Sequence, residues 1–195
     1  MIFPINLKFN LDEAIDYYNN LTTNHQDLHW YYTNDHNEPD MIDSKNNLGK
    51  MHGWGIQTVY SDPTFPYHGD ADPHDEGPEY FKPTKLIFGW AEQIISLLKE
   101  PYRTFMLVYP SGDYLGPYDP CPPPHFRLTL PIISNNNAWL INSDTNEKYL
   151  LTPGIVYLNT TENYTELRND GDSDLVFMQV DSPTCYLPKF LEKYK

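Results

Sequence analysis

The chain has few basic residues and almost no cysteine. Against 27 Asp and Glu it carries 13 Lys and Arg, a formal charge of −14 at pH 7. Phosphate neutralisation needs a basic face, so this balance excludes nonspecific nucleic-acid binding. It equally disfavours docking on an anionic membrane. The two cysteines, Cys121 and Cys185, are too few for a disulfide framework, and two free thiols are expected. No apolar run approaches the roughly 18 residues of a membrane span. Met1-Ile2-Phe3-Pro4 has neither the charged nor the apolar region of a secretion signal. A soluble protein of the cytoplasm is expected, or of a virion, since the Asn-, Tyr-, Ile- and Lys-biased composition also suits an AT-rich viral genome. G-x-S-x-G, G-x-x-x-x-G-K-[ST], H-E-x-x-H and C-x-x-C are all missing, which removes support for the common hydrolase, NTPase and zinc readings.

At 195 residues the chain suits one domain with a full core. Asn10 is placed to cap a helix over Leu11–Leu21, where Leu11, Ala14, Ile15 and Tyr18 share a face. Leu28–Tyr32 reads as a short aromatic strand, Asn34–Gly49 as a polar loop and Trp54–Tyr60 as a strand. Thr84–Lys99 has the strongest helical period, with Trp90, Ala91, Ile94, Ile95 and Leu98 recurring until Pro101 stops it. Its wide apolar face predicts packing across the back of a sheet. Upstream, His68, Asp70, Asp72, His74, Asp75 and Glu76 cluster. His68-x-Asp70 copies half of a non-haem iron triad, but a loop rich in Pro and Gly does not fix such geometry. A solvated acidic loop is expected there.

From residue 102 onward the period changes to short strands broken by turn signals. Tyr102–Tyr109, His125–Ile133, Ala138–Asn142, Lys148–Leu151, Ile155–Leu158 and Leu175–Val180 are separated by Pro, Gly, Asn and Asp clusters. Tyr164–Gly171 reads as a loop. Such spacing predicts a mostly β protein with flanking helices, a sandwich or jelly roll. The organisation expected is an N-terminal part, 1–101, supporting a core at 102–181, with a tail at 182–195. His125 begins its strand after three prolines, where an exposed side chain is the normal outcome.

Four segments in order carry a resemblance: Pro110-Ser-Gly-Asp-Tyr-Leu-Gly-Pro-Tyr-Asp119, Phe126-Arg-Leu-Thr-Leu-Pro-Ile-Ile-Ser-Asn135, Leu151-Thr-Pro-Gly-Ile-Val-Tyr-Leu-Asn-Thr-Thr161 and Asn169-Asp-Gly-Asp-Ser-Asp-Leu-Val-Phe-Met-Gln-Val-Asp181. Together they resemble the aspartyl/asparaginyl β-hydroxylase group of Fe(II)- and 2-oxoglutarate-dependent oxygenases. The resemblance implies a double-stranded β-helix, the cupin-like form of jelly roll. It implies iron-ligand positions at Tyr118, Asp119 and Tyr164, with Thr165 as the alternative to Tyr164. It implies cosubstrate positions at Arg127, Thr129 and Leu175.

The residue types at those positions do not suit the chemistry. Fe(II) oxygenases hold their metal with neutral imidazoles and a carboxylate. A phenol, with a pKa of about 10, must lose a proton to bind. Thr129 stands where the family has histidine, and Leu175, where it has arginine, has no donor for a carboxylate. The expectation is therefore a non-catalytic protein with no cofactor, acting in binding or structural interaction, its Tyr118 and Tyr164 rings meeting inside the jelly roll. A protein partner is expected, since tyrosine, with 16 residues, suits interfaces. The alternative is an active hydroxylase using Fe(II) and 2-oxoglutarate, in which Asp119 is joined by His68, His74 or His125. A third reading is a carbohydrate- or peptide-binding module with Trp139 and Tyr157 in its cavity.

Overall fold

A computed structural model describes residues 1–31, 51–59, 81–118, 124–160 and 164–194. In chain order its strands are β1 (Ile2–Ile5), β2 (Trp30–Tyr31), β3 (His52–Val59), β4 (Phe81–Pro83), β5 (Tyr102–Tyr109), β6 (Tyr114–Tyr118), β7 (His125–Ile133), β8 (Ala138–Asn142), β9 (Glu147–Leu150), β10 (Val156–Thr160), β11 (Thr165–Asn169) and β12 (Leu175–Pro183). The helices are α1 (Leu11–Asn24), α2 (Gly89–Ser96) and α3 (Leu187–Tyr194). The strands form two antiparallel sheets. The larger runs β1-β10-β7-β12-β5-β3-β2, with β4 beside β3, and the smaller runs β6-β11-β8-β9. The chain is thus mostly β with flanking helices.

Period-two alternation divides each central strand between two cores. On β7, Phe126, Leu128, Leu130 and Ile132 face the helices and join Val156, Leu158, Val176, Met178 and Val180 in one cluster. From the opposite face of the same sheet, Phe105, Leu107, Tyr109, Tyr157, Leu175 and Phe177 pack against Ala138, Leu140 and Leu167 of the small sheet. The space between the sheets is therefore a packed sandwich at one end. Both faces of the large sheet are covered, so β5, β7 and β12 are buried almost throughout.

Helix α1 begins as its sequence dictates. Asn10 Oδ1 accepts from the backbone N–H of Asp12 at 3.1 Å and of Glu13 at 3.3 Å, satisfying donors that the first turn leaves open. Its buried face, Ala14, Tyr17 and Leu21, meets α2, and the Tyr17 hydroxyl donates to Leu86 O at 2.7 Å. Helix α2 is shorter than its apolar period suggests. Residues 84–88 form a turn instead, because Thr84 Oγ1 donates to Gly55 O and accepts from Leu86 N, while Phe88 is extended and Gly89 has φ +55. Trp90 and Ile94 are nonetheless buried against the sheet, as the periodicity implies.

Further differences from the sequence expectation concern β11, α3 and the N-terminal part. Thr165–Asn169, read as loop, is β11, the strand that joins β6 to β8. Residues 187–194, read as tail, are α3, whose Phe190 and Tyr194 are buried in the helix-side core. The N-terminal part contributes β1 and β3 to the same large sheet as β5, β7, β10 and β12, so it is not merely a support for it. At the β3–β5 contact the backbones come close: a Cβ at Gly53 would lie 2.0 Å from Met106 O.

Candidate functional site

Beyond the apolar packing, the facing sheets carry polar groups. On β7 the inward positions after the three prolines are His125, Arg127 and Thr129, and on the neighbouring β12 they are Gln179 and Asp181. Register sets Asp181 opposite Arg127. Arg127 Nε donates to Asp181 Oδ1 at 2.8 Å, and Nη2 donates to Oδ2 at 2.9 Å, a bidentate pair. His125 Nε2 lies 3.2 Å from the same Oδ2. His125 is 1% and Asp181 0% exposed. Burial alone would push the Asp181 carboxyl upward, but Arg127 and then His125 outweigh it and hold the carboxyl below the usual carboxylate range.

β5 bends around this cluster. Between Gln179 and Asp181 the β5 partners are Phe105 and Tyr102, so β5 carries one extra residue there. Arg103 in that bulge has φ 46, and its guanidinium lies 5.4 Å from the Tyr102 ring centroid. The Tyr102 ring in turn stands edge-on to His125 at 5.9 Å. A buried polar link crosses from one sheet to the other nearby. Asn159 Nδ2 on β10 donates to Thr165 Oγ1 on β11 at 2.9 Å. Among the described residues Asn159 Oδ1, which is buried, has no hydrogen-bond donor.

The positions inferred from the resemblance are only partly brought together. Tyr164 is 45% exposed and sits outside the sandwich, its backbone N–H directed at Asp144 Oδ2. Tyr164 is thus not on the inward face where the two tyrosine rings were expected to meet. Thr165, 1% exposed and paired in register with residue 118, takes the inward place instead. The cause is the one-residue phase of a strand, which sends neighbouring side chains to opposite faces. The Tyr118 ring, Asp119, His68 and His74 lie outside the described residues, as does Cys121. Cys185 is exposed and free.

Leu175 is buried in the apolar inter-sheet core beside Tyr109 and Phe177. It stands six residues from Asp181 along β12, roughly 20 Å at a strand's rise per residue. Arg127 and Leu175 are thus at opposite ends of the inner face, with Thr129 opposite Gln179 between them. His125, expected to be exposed, is buried because its strand starts under β12 and pairs with Pro183. Tyr157, the proposed cavity residue, is buried with its hydroxyl donating to Leu150 O, and Trp139 is half-buried.

Among the described residues no three His, Cys, Asp or Glu side chains gather as a metal site. On the described inter-sheet face Asp181 occupies the Nε–Nη2 edge of Arg127, and Leu175, at the other end, offers no donor. Asp181 escaped sequence reasoning, and His125 was considered there only as an exposed residue or a replacement ligand. The signal was present in the period of two, which sets Leu175, Phe177, Gln179 and Asp181 on one face. No family model matches the chain, and no curated protein is similar to it.

Proposed function

We propose that this chain is a non-catalytic double-stranded β-helix protein that acts by binding a protein partner, on a framework shared with the 2-oxoglutarate oxygenases. The order β10-β7-β12-β5 opposite β6-β11-β8-β9 supports that form of jelly roll, because eight consecutive strands are divided between two four-stranded faces and alternate between them except at the β8–β9 hairpin. The observation that carries the loss of catalysis is the Arg127–Asp181 pair. The Nε–Nη2 edge of the Arg127 guanidinium, which would suit a cosubstrate carboxylate, is satisfied by a carboxylate of the chain itself. Thr165, whose hydroxyl receives the Asn159 amide, is a poor ligand for Fe(II) beside the imidazoles that such a site uses. The protein-partner part of the reading is supported by the abundance of tyrosine, 16 residues, which suits contact surfaces.

The test is metal and turnover, measured separately. Anaerobic titration with Fe(II) should give no stoichiometric binding, and aerobic incubation with 2-oxoglutarate should give no succinate. One equivalent of bound iron together with succinate formation would replace this reading with that of an active hydroxylase, with ligands among Asp119, His68 and His74.

A further inference from the structure

We propose that a cleft between α3 and the end of α2 binds a small organic anion with an apolar body, such as an aromatic sulfonate or carboxylate. It lies on the helix side of the large sheet, opposite the Arg127–Asp181 pair, and so is independent of the reading above. The cleft has a volume of about 320 Å³ and is lined by Leu97, Lys99, Phe126, Tyr186, Lys189, Phe190, Lys193 and Tyr194. That is at the small end of the range for ligand pockets, about 300–1,000 Å³.

Its floor is aromatic. The Phe126 and Phe190 rings have centroids 5.2 Å apart, and Phe190 and Tyr194 are 4.8 Å apart. These rings are nine-tenths or more buried and give the cleft an apolar floor, which matches an apolar ligand body. Its rim is cationic. Lys189 and Lys193 are four residues apart on α3 and therefore on one side of the helix. Lys193 Nζ lies 4.9 Å from the Tyr194 ring centroid, and Lys99 closes the rim from the end of α2. Among the described residues none of the three lysines is ion-paired. The adjacent carboxylate, Glu100, accepts the Tyr186 hydroxyl at 2.7 Å, and Glu192 does not line the cleft. Three of the chain's 13 basic residues thus surround one aromatic cleft in a protein of charge −14. A neutral apolar ligand would leave that concentration of positive charge unused.

The probe is 8-anilinonaphthalene-1-sulfonate, titrated into the folded protein by fluorescence and calorimetry. The neutral N-phenyl-1-naphthylamine, with a similar aromatic body, runs in parallel. Saturable one-to-one binding of the anion is expected, weakening with salt and roughly tenfold tighter than the neutral compound. Lys189→Glu combined with Lys193→Glu, both at exposed positions, should weaken the anion roughly tenfold or more with an unchanged circular dichroism spectrum. Lys85→Glu combined with Lys148→Glu makes the same change in net charge away from the cleft and should leave the affinity intact. Absence of saturable binding, equal affinity for the neutral compound, or equal weakening by the two double variants would overturn the proposal.

Discussion

Replacing Asp181 by Asn isolates the energetics of the inter-sheet cluster. The substitution preserves shape but removes the counter-charge of Arg127, whose side chain is 10% exposed and held at 2.8 Å and 2.9 Å by the lost carboxylate. Breaking a buried ion pair by removing one member costs about 3–5 kcal/mol. For a chain of this size that corresponds to a fall in Tm of roughly 6–20 °C. Removing both charges, as Arg127→Met with Asp181→Leu, should cost far less than the sum of the single changes, because neither ion is then stranded. The acid limb supplies an independent check. A carboxyl held below its unfolded pKa of about 4 contributes stability that is present above that pH and lost as pH falls below it. Asp181→Asn should remove that part of the acid sensitivity. Urea titrations from pH 7 to pH 3 read both quantities. A loss below about 1 kcal/mol for Asp181→Asn, or full additivity in the double variant, would show that the pair is not the buried unit described here.

Two further outcomes follow from the large sheet. His29 Nε2 and His52 Nδ1 share a hydrogen bond of 2.7 Å against Trp54, and burial, followed by the neighbouring His52, lowers His29 to about 4. Stability should therefore be full above pH ~6.5 and decline towards pH 4, by about 1 kcal/mol after solvent screening, with His29→Gln flattening the curve in urea titrations. Gly53→Ala places a methyl group 2.0 Å from Met106 O, a rigid backbone atom. It should cost about 1–3 kcal/mol or more, seen as a lower urea midpoint; an unchanged midpoint would mean that β3 and β5 are not so close.

The strands of the sandwich were legible wherever both faces are buried by apolar or branched side chains. Tyr102–Tyr109, His125–Ile133 and Ala138–Asn142 fall on the bounds that periodicity implies. β11 was illegible because Thr165-Glu-Leu-Arg-Asn169 is mostly polar and owes its extension to pairing with β6 and β8. Helical period overran α2 because a period does not register Thr84 binding the backbone of β3. The site was less legible than the fold. Arg127 was singled out only through the resemblance, but its partner is 54 residues away, and only register brings Asp181 to it. Tyr164 and Thr165, the two positions weighed for one ligand, are 45% and 1% exposed, the reversal that a single residue makes in an extended chain.

The position of β12 in the large sheet also governs how the protein can assemble. It is the last strand among the described residues, yet it lies in the middle of the order, between β7 and β5. Until it is synthesised, β1-β10-β7 and β5-β3-β2 are two half-sheets with no strand between them, each offering an open edge flanked by apolar side chains. The pairing of Ile2 with Asn159 is equally remote in sequence. Such contacts make closure late and slow, so a nascent chain passes through a period in which strand addition from another molecule competes with its own final strand. A chaperone that shields strand edges should consequently raise the yield of this protein more than its stability alone would suggest.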